Sequence, residues 1–328
     1  MVKVTLASIL RTLLGAGLIT GAALAQAQAQ NPNPVRIVIG LPAGGALDNM
    51  ARAMAEKLRP ELGQTVIIEN RPGAATQIAT QAVKRAAPDG NTILLAPPSV
   101  FTIFPLTYEK LPYDFEKDFI SVAHLADVPM AVTTGASSPY SNMKEYLDWV
   151  KKNPEQSGVG LVALGGVAHF GLLGMNQHTG LKLIPVAYKG APNMLTDEIG
   201  GVLPVGIDTI SSASELEKAG KIKFLGLTGN ERTRLAPHVP TMKEQGVQGF
   251  ELSITGYGAY VPAGTPKAVV EKLQKVMIAV VKDPDFTKQM ERIGIVTTGQ
   301  TGETMTAAMR SQREAWRPVV EKSGFRAQ

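Results

Sequence analysis

The residues with the most suggestive spacing in this chain are Leu41-Pro42-Ala43-Gly44-Gly45-Ala46-Leu47. They follow an apolar run (Val35, Ile37, Val38, Ile39) and precede an amphipathic stretch that ends near Leu58, which is the order strand, tight turn, helix. A helix leaving such a turn has first-turn N–H groups without intrahelical partners, and its dipole adds about half a positive charge there. A carboxylate or phosphate sits well at that end. The turn Ala43, Gly44, Gly45, Ala46, Leu47 is therefore a candidate anion site built from backbone donors; a plain strand-to-helix turn with no ligand is the competing reading. It is not a nucleotide site, because the chain has neither G-x-G-x-x-G nor Gly-Lys-Ser/Thr.

Other reactive side chains give less. Ser99 follows Pro97 and Pro98, outside any G-x-S-x-G elbow and with no identifiable base, so nucleophilic catalysis has no support. The four histidines (His124, His169, His178, His238) are far apart and lack H-E-x-x-H spacing, which argues against a metal site. No cofactor motif is present, and the expectation is a protein that is not an enzyme. His169 falls in the first turn of a predicted helix, where packing or capping competes with ligand contact. Asp48 precedes Arg52 by four residues and reads as support for its own helix. Asp208 ends an apolar strand, where it can accept a ligand hydrogen bond or cap the next helix, and both readings stay open. Phe101 and Phe170 are candidates for stacking on a ligand, whereas Trp149 and Trp316, inside helices, read as packing residues.

The elements that must position these groups alternate. A strand is predicted at Thr65–Ile68, a helix at Thr76–Ala87 and a strand at Thr92–Leu95, a pattern that implies a doubly wound parallel sheet with right-handed crossovers. Ligands of such sheets bind outside the carboxyl ends of the strands, so Pro42–Leu47, Pro72–Gln77 and Ala96–Phe101 converge on one crevice. From about Val128 the pattern restarts. Strands are predicted at Met130–Thr133, Val159–Val162, Leu183–Ala187, Leu203–Ile207 and Ile222–Leu227. Between them lie helices, including one capped by Ser141 or Asn142 and one from Ala168 to His178 after the turn Leu164-Gly165-Gly166. Ser253–Val261 reads as a strand leading back, Thr265-Pro266 and Asp283-Pro284 as helix starts, and Thr301–Lys322 as a last helix packing on the first unit. The fold class is α/β: two doubly wound domains joined by two crossing segments. One comprises 31–128 plus 250–328 and the other 129–249.

The chain has 328 residues, enough for two cores. Lys3 and Arg11, the apolar stretch Leu13–Leu24 and the small residues Ala23 and Ala25 mark residues 1–25 as a cleaved signal peptide, too short to span a bilayer. Losing its two basic residues lowers the formal charge from +5 to +3. That charge is mild and dispersed, which excludes a nucleic-acid-binding face. With no cysteine there is no disulfide, no thiolate chemistry and no lipid attachment behind the leader.

Taken in order, the motifs resemble the substrate-binding proteins of the tripartite tricarboxylate transporter system, the Bug family. The resemblance rests on Leu41–Asp48 with Ala51-Arg52, Glu69-Asn70-Arg71-Pro72-Gly73-Ala74 and Ala86-Ala87-Pro88-Asp89-Gly90. It continues through Leu111-Pro112-Tyr113-Asp114, Ala187-Tyr188-Lys189-Gly190, Pro240-Thr241-Met242 and Val261-Pro262-Ala263-Gly264-Thr265-Pro266. It implies a periplasmic receptor of type II architecture that closes on a small organic carboxylate and hands it to a membrane permease, acting as a monomer. By motif it adds Ala74, Ala75, Thr76 and Gln77 to the ligand site from the first domain. Leu164, Gly165, Gly166, Val167, Ala168, His169 and Asp208 come from the second. Ser99 and Phe101 join them from the third crevice loop. A sensor on the same fold, presenting its closed form to a membrane histidine kinase, is the alternative, and an exported enzyme on this scaffold a remote one.

Two departures stand out. The family's A-G-G-x-I-G after R-P-G is here Ala74-Ala75-Thr76-Gln77-Ile78-Ala79, so Cβ atoms intrude at three glycine positions while Thr76 and Gln77 add side-chain donors. Gly166 stands where the family usually has serine. Both changes imply a ligand different from that of a common dicarboxylate binder.

Overall fold

The computed structural model describes residues 33–253 and 255–327, so the leader read at 1–25 lies outside the described residues. The chain builds β1 (Val35–Ile39), α1 (Ala46–Leu62), β2 (Val66–Asn70), α2 (Gln77–Lys84), β3 (Thr92–Ala96) and the short helices α3 (Ser99–Thr102), α4 (Phe104–Thr107) and α5 (Phe115–Asp118). The long strand β4 (Phe119–Val128) leads directly into β5 (Met130–Gly135). Then follow α6 (Met143–Lys152), β6 (Gly158–Leu161), α7 (Val167–Thr179), β7 (Ile184–Ala187), α8 (Ala191–Ile199), β8 (Val205–Thr209), α9 (Ile210–Lys218) and β9 (Ile222–Leu227). The chain returns through β10 (Thr255–Pro262) and ends with α10 (Lys267–Lys282), α11 (Pro284–Arg292), β11 (Val296–Thr301) and α12 (Gly302–Ser323).

These elements make two sheets, β11-β4-β10-β3-β1-β2 and β7-β6-β8-β5-β9, each covered by helices: two α/β lobes. The expected parallel core is present in both, as β2-β1-β3 and β7-β6-β8. Neither sheet is purely parallel, however. β10 re-enters the first lobe from the side of the second and so runs antiparallel to both β3 and β4, and β11 is antiparallel to β4. In the second lobe β5 enters from the first and runs antiparallel to β8 and β9. The antiparallel strands follow from the double crossing itself, and an alternating βα pattern does not reveal them. β4 and β11 were not expected as strands. In β4, Ser121, His124 and Asp127 interrupt an otherwise apolar run.

Packing follows the sequence patterns. In α1, Leu47, Met50, Ala51, Met54, Ala55 and Leu58 form the stripe that covers β1 on one face of the sheet. Gly63, with φ +65, ends the helix by donating to the Arg59 carbonyl. On the other face an aromatic cluster of Phe101, Tyr113, Phe115, Phe119 and Tyr260 packs with Met305 and Met309 of α12. Asn142 caps α6 by accepting from the Glu145 N–H, and Asp283 caps α11 by accepting from the Phe286 N–H. Thr265 is not the cap expected of it, since its hydroxyl donates to the Pro262 carbonyl at 2.7 Å and the helix begins at Lys267. The C-terminal helices pack on the first lobe as expected, but α12 does more. Its last turns, at Trp316 and Val320, wedge between Ile103 of the first lobe and Phe170 of the second.

Candidate functional site

The lobes meet through the carboxyl ends of their strands. Val167, just past the end of β6, accepts a hydrogen bond from Ser253 Oγ at 2.9 Å in the return crossing. Gly294, which precedes β11, sits against Ser211 just past β8, so closely that a Cβ there would fall 2.1 Å from the serine Cβ. The edges that carry the predicted ligand loops therefore face each other, as the crevice rule requires.

In the first lobe the turn before α1 is held by Asp48. Its buried carboxylate accepts from the Gly44 N–H at 2.9 Å, from Arg52 Nε at 2.9 Å and from Asn70 Nδ2 at 3.0 Å. These bonds, that from Arg52 foremost, hold the Asp48 carboxyl below the usual carboxylate range against the opposing effect of burial. The expectation of Asp48 as a support residue is matched, with one consequence for the cradle: the Gly44 amide is consumed internally and is not free for a ligand. The first helical hydrogen bond closes from the Asn49 N–H to the Gly45 carbonyl. Among the described residues no side chain caps this helix, which leaves the amides of Ala46, Leu47 and Asp48 at its amino end. Ala43 and Gly45 are exposed, whereas the Leu47 side chain is core and contributes backbone alone.

The second loop is unusual. Ala74, Ala75 and Thr76 have φ of 44°, 48° and 77°, three consecutive non-glycine residues in the left-handed region. The chain has kept the backbone that glycine would favour and placed side chains on it. Ala74 and Ala75 are exposed. Thr76 is buried, and its methyl lies where a Cβ on Gly40 would be, 2.2 Å from that position. It therefore serves first as packing over the end of β1. Gln77 is half-buried at the start of α2.

In the second lobe α7 starts from Gly166, again with no side-chain cap among the described residues, and Val167, Ala168 and His169 form its first turn. The Gly165 N–H donates to His169 Nδ1 at 3.1 Å, which places the imidazole proton on Nε2, and burial holds the ring below its ordinary range in the neutral form. His169 is thus a buried loop-fastening residue. Ala168 is buried, Gly165 and Gly166 are half-buried, and Leu164 is exposed. Asp208, buried at the end of β8, accepts from Ser212 Oγ at 2.7 Å in the first turn of α9, and burial pushes its carboxyl upward. It does not cap α9, whose N-cap is Thr209 with no side-chain cap among the described residues; its local partner is the Ser212 hydroxyl, and the ligand reading stays open. Ser99 and Val167 come together across the lobes, lining a cavity of about 200 Å³ with Thr102, His124 and Asp127; His124 Nε2 is 2.8 Å from Asp127 Oδ1.

Two expectations are corrected. Phe101 is fully buried, with its ring centroid 4.7–5.7 Å from those of Tyr113, Phe115, Phe119 and Tyr260, so it cannot stack on a ligand. Phe170, also fully buried, packs against His169, Trp316 and Phe325. An aromatic residue next to a crevice loop in sequence points inward whenever the core there needs volume, and no pattern around Phe101 or Phe170 distinguishes the cases. Trp316 is a packing residue as expected. The residues missed are Asn70, Ser253 and Phe325. Asn70 lies in the E-N-R-P-G motif and could have been suspected; the other two lack any local signal. Among the described residues no group of three His, Asp or Glu is placed to hold a metal.

Two α/β lobes joined by a double crossing, each with a helix start that lacks a side-chain cap among the described residues, define a solute-binding protein of type II architecture. The chain belongs to the tripartite tricarboxylate transporter family receptors, whose family model matches residues 50–325. It is 33% identical over 322 residues to a UPF0065 protein of Bordetella bronchiseptica, covering 96% of this chain and 94% of that one. The structure of the periplasmic binding protein BugD superposes with a TM-score of 0.73 at 33% identity, over 90% of this chain and 100% of that one. Rpa4515 of R. palustris, solved with adipate, superposes at 0.76 and 28% identity, over 89% and 97%. The members of this family are transport receptors and not catalysts, and that is the class to which this chain belongs.

Proposed function

We propose that the chain binds a small organic carboxylate between its lobes and delivers it to the membrane permease of a tripartite tricarboxylate-type transporter. In this reading 1–25 is a cleaved leader, the mature protein works in the periplasm as a monomer, and the moving units are 31–128 with 250–328, and 129–249. The observation that carries it is the pair of helix starts at Gly45 and Gly166, one in each lobe and neither closed by a side chain among the described residues. Amide donors and two helix dipoles are what a carboxylate needs in a site whose loops bear no cation. The first-lobe contacts are assigned to Ala43 and Gly45–Leu47, to Ala74–Gln77 and to Ser99. The second-lobe contacts are assigned to Leu164–His169 by backbone, and Asp208, buried at the end of β8, is kept as a contact on the motif match alone. The adipate seen in Rpa4515 supports the substrate class.

The test is the thermal midpoint of refolded, ligand-stripped protein against mono-, di- and tricarboxylates, with sugars and cations as controls. Binding to the native state alone adds about 2.7 kcal/mol at a hundredfold excess over Kd. A shift confined to carboxylates is expected. A shift with a sugar or cation alone would refute the assignment.

A further inference from the structure

The ligand loop of the second lobe is held in place by a residue of the first. After α12 the chain turns at Gly324, with φ +65, and Phe325 leaves the helix axis with its N–H on Ser323 Oγ at 3.1 Å. Two residues later the Ala327 N–H donates to the Thr107 carbonyl at 3.0 Å, which ties the tail to α4 of the first lobe. Between these anchors the Phe325 ring reaches the second lobe. It meets His169 edge-on, with centroids 5.2 Å apart and planes at 75°, and Phe170 at 5.8 Å and 83°. It also covers Gly165, so that a Cβ on that glycine would fall 2.8 Å from the ring. Gly165 has φ +78, and its N–H is the one that fastens the turn to His169. Loop, imidazole and phenyl ring therefore form one stack, with its base in the first lobe.

We propose that Phe325 is a positioning residue for the ligand loop Leu164–His169, and that residues 324–327 strap this loop to the first lobe. Gly165 and Gly166 give the turn wide backbone freedom, and two contacts remove it: the Gly165–His169 hydrogen bond from inside the lobe and the Phe325 ring from outside. Ser253 pins the other side of the same helix start through the Val167 carbonyl. Lobe closure must then pivot about this stack and carry the amino end of α7 on a fixed arc. The functional half of this inference rests on the reading of Leu164–His169 as a ligand loop; the positional half does not.

The experiment is amide hydrogen exchange on the full-length protein and on Phe325→Ala, with Phe325→Leu as the conservative variant, paired with titration by adipate. Each aromatic contact adds modest stabilisation beyond the area it buries, so loss of both should speed exchange at Gly165 and in the first turn of α7 by roughly tenfold. Exchange in β8 should stay unchanged, and Phe325→Leu should fall between the two. Adipate should bind Phe325→Ala roughly tenfold more weakly than wild type. If Phe325→Ala does not fold, Phe325→Leu carries the exchange test. Unchanged exchange at Gly165, or a uniform rise across the second lobe, overturns the proposal. If wild type takes no carboxylate, the proposed function fails while the exchange result still decides this inference.

Discussion

Glu198 should make the stability of this protein fall as pH rises. Its carboxyl lies 1% exposed under α8, on the face of the second sheet where Gly206 makes room for it: a Cβ on that glycine would fall 2.2 Å from Oε1. Oε1 accepts from Thr133 Oγ1 at 3.0 Å, while Oε2 is buried with no partner among the described residues. Burial, with a smaller contribution from the Asp208 charge and a partial offset from Thr133, raises its pKa from the ordinary 4.5 to about 8. The native state therefore binds this proton more tightly than the unfolded chain does. The stabilisation is complete below pH 4.5 and is lost as pH climbs from there through about 8. At ~1.4 kcal/mol per pH unit the whole effect is about 4–5 kcal/mol, of which roughly 3–4 falls between pH 5 and pH 8. Asp208, also raised, adds a slope of the same sign. Glu198→Gln keeps the shape and the Thr133 bond but cannot ionise. Urea unfolding followed by circular dichroism should find the variant close to wild type at pH 5 and about 3 kcal/mol more stable at pH 8. Parallel pH profiles for the two proteins would refute the assignment.

Ala75→Gly should stabilise the protein by about 1 kcal/mol by relieving a left-handed backbone at an exposed position, read as a rise in the urea midpoint. Gly40→Ala should cost about 1–3 kcal/mol through its collision with Thr76, and adding Thr76→Gly should recover only the side-chain part of that loss, because the Thr76 Cα, 2.7 Å from the new Cβ, remains; simple additivity in the double-mutant cycle would contradict the contact. Asp48→Asn should destabilise by about 1–3 kcal/mol by weakening the bonds to Arg52 and to the Gly44 N–H. Because the Asp48 pKa is lowered in the folded state, its contribution is present above the unfolded value of 3.8 and lost below it, so wild type should lose its advantage over the variant in acid melts.

What could be read from the residues alone was whatever the chain states locally. The Ala43–Leu47 turn, the Asp48–Arg52 pair and the caps at Asn142 and Asp283 depend on neighbours a few residues away, and there the expectation and the structure coincide. The two alternating units and the double crossing were legible in the strand–helix pattern, and the family resemblance added the type II class. Long-range partnerships were not legible. Nothing near Phe101 says that four other rings wait for it, and nothing near Phe325 says that Gly165, 160 positions earlier, lies beneath it. Thr76 shows the intermediate case. Its substitution for glycine was visible, but not that Gly40 supplies the space its methyl takes. The antiparallel sense of β10 was hidden for the same reason, since it depends on where the chain has been between β4 and β10.

That strand also bears on the order of assembly during synthesis. β10 lies between β3 and β4, and its first residue, Thr255, pairs with Val128, the last residue before the chain departs for the second sheet. The first sheet thus has a gap at its centre until residue 262 has been made. The second sheet, whose strands all lie between Met130 and Leu227, is complete well before then. On the ribosome the inserted lobe can finish while its host remains open, with β3 and β4 exposing unpaired edges to any passing strand. β10 then closes the seam between β3 and β4 through contacts of very long sequence separation, which are slow to form. Folding of this receptor should therefore be limited by its first lobe, and the vulnerable intermediate is one with the second lobe formed and the seam between β3 and β4 still open.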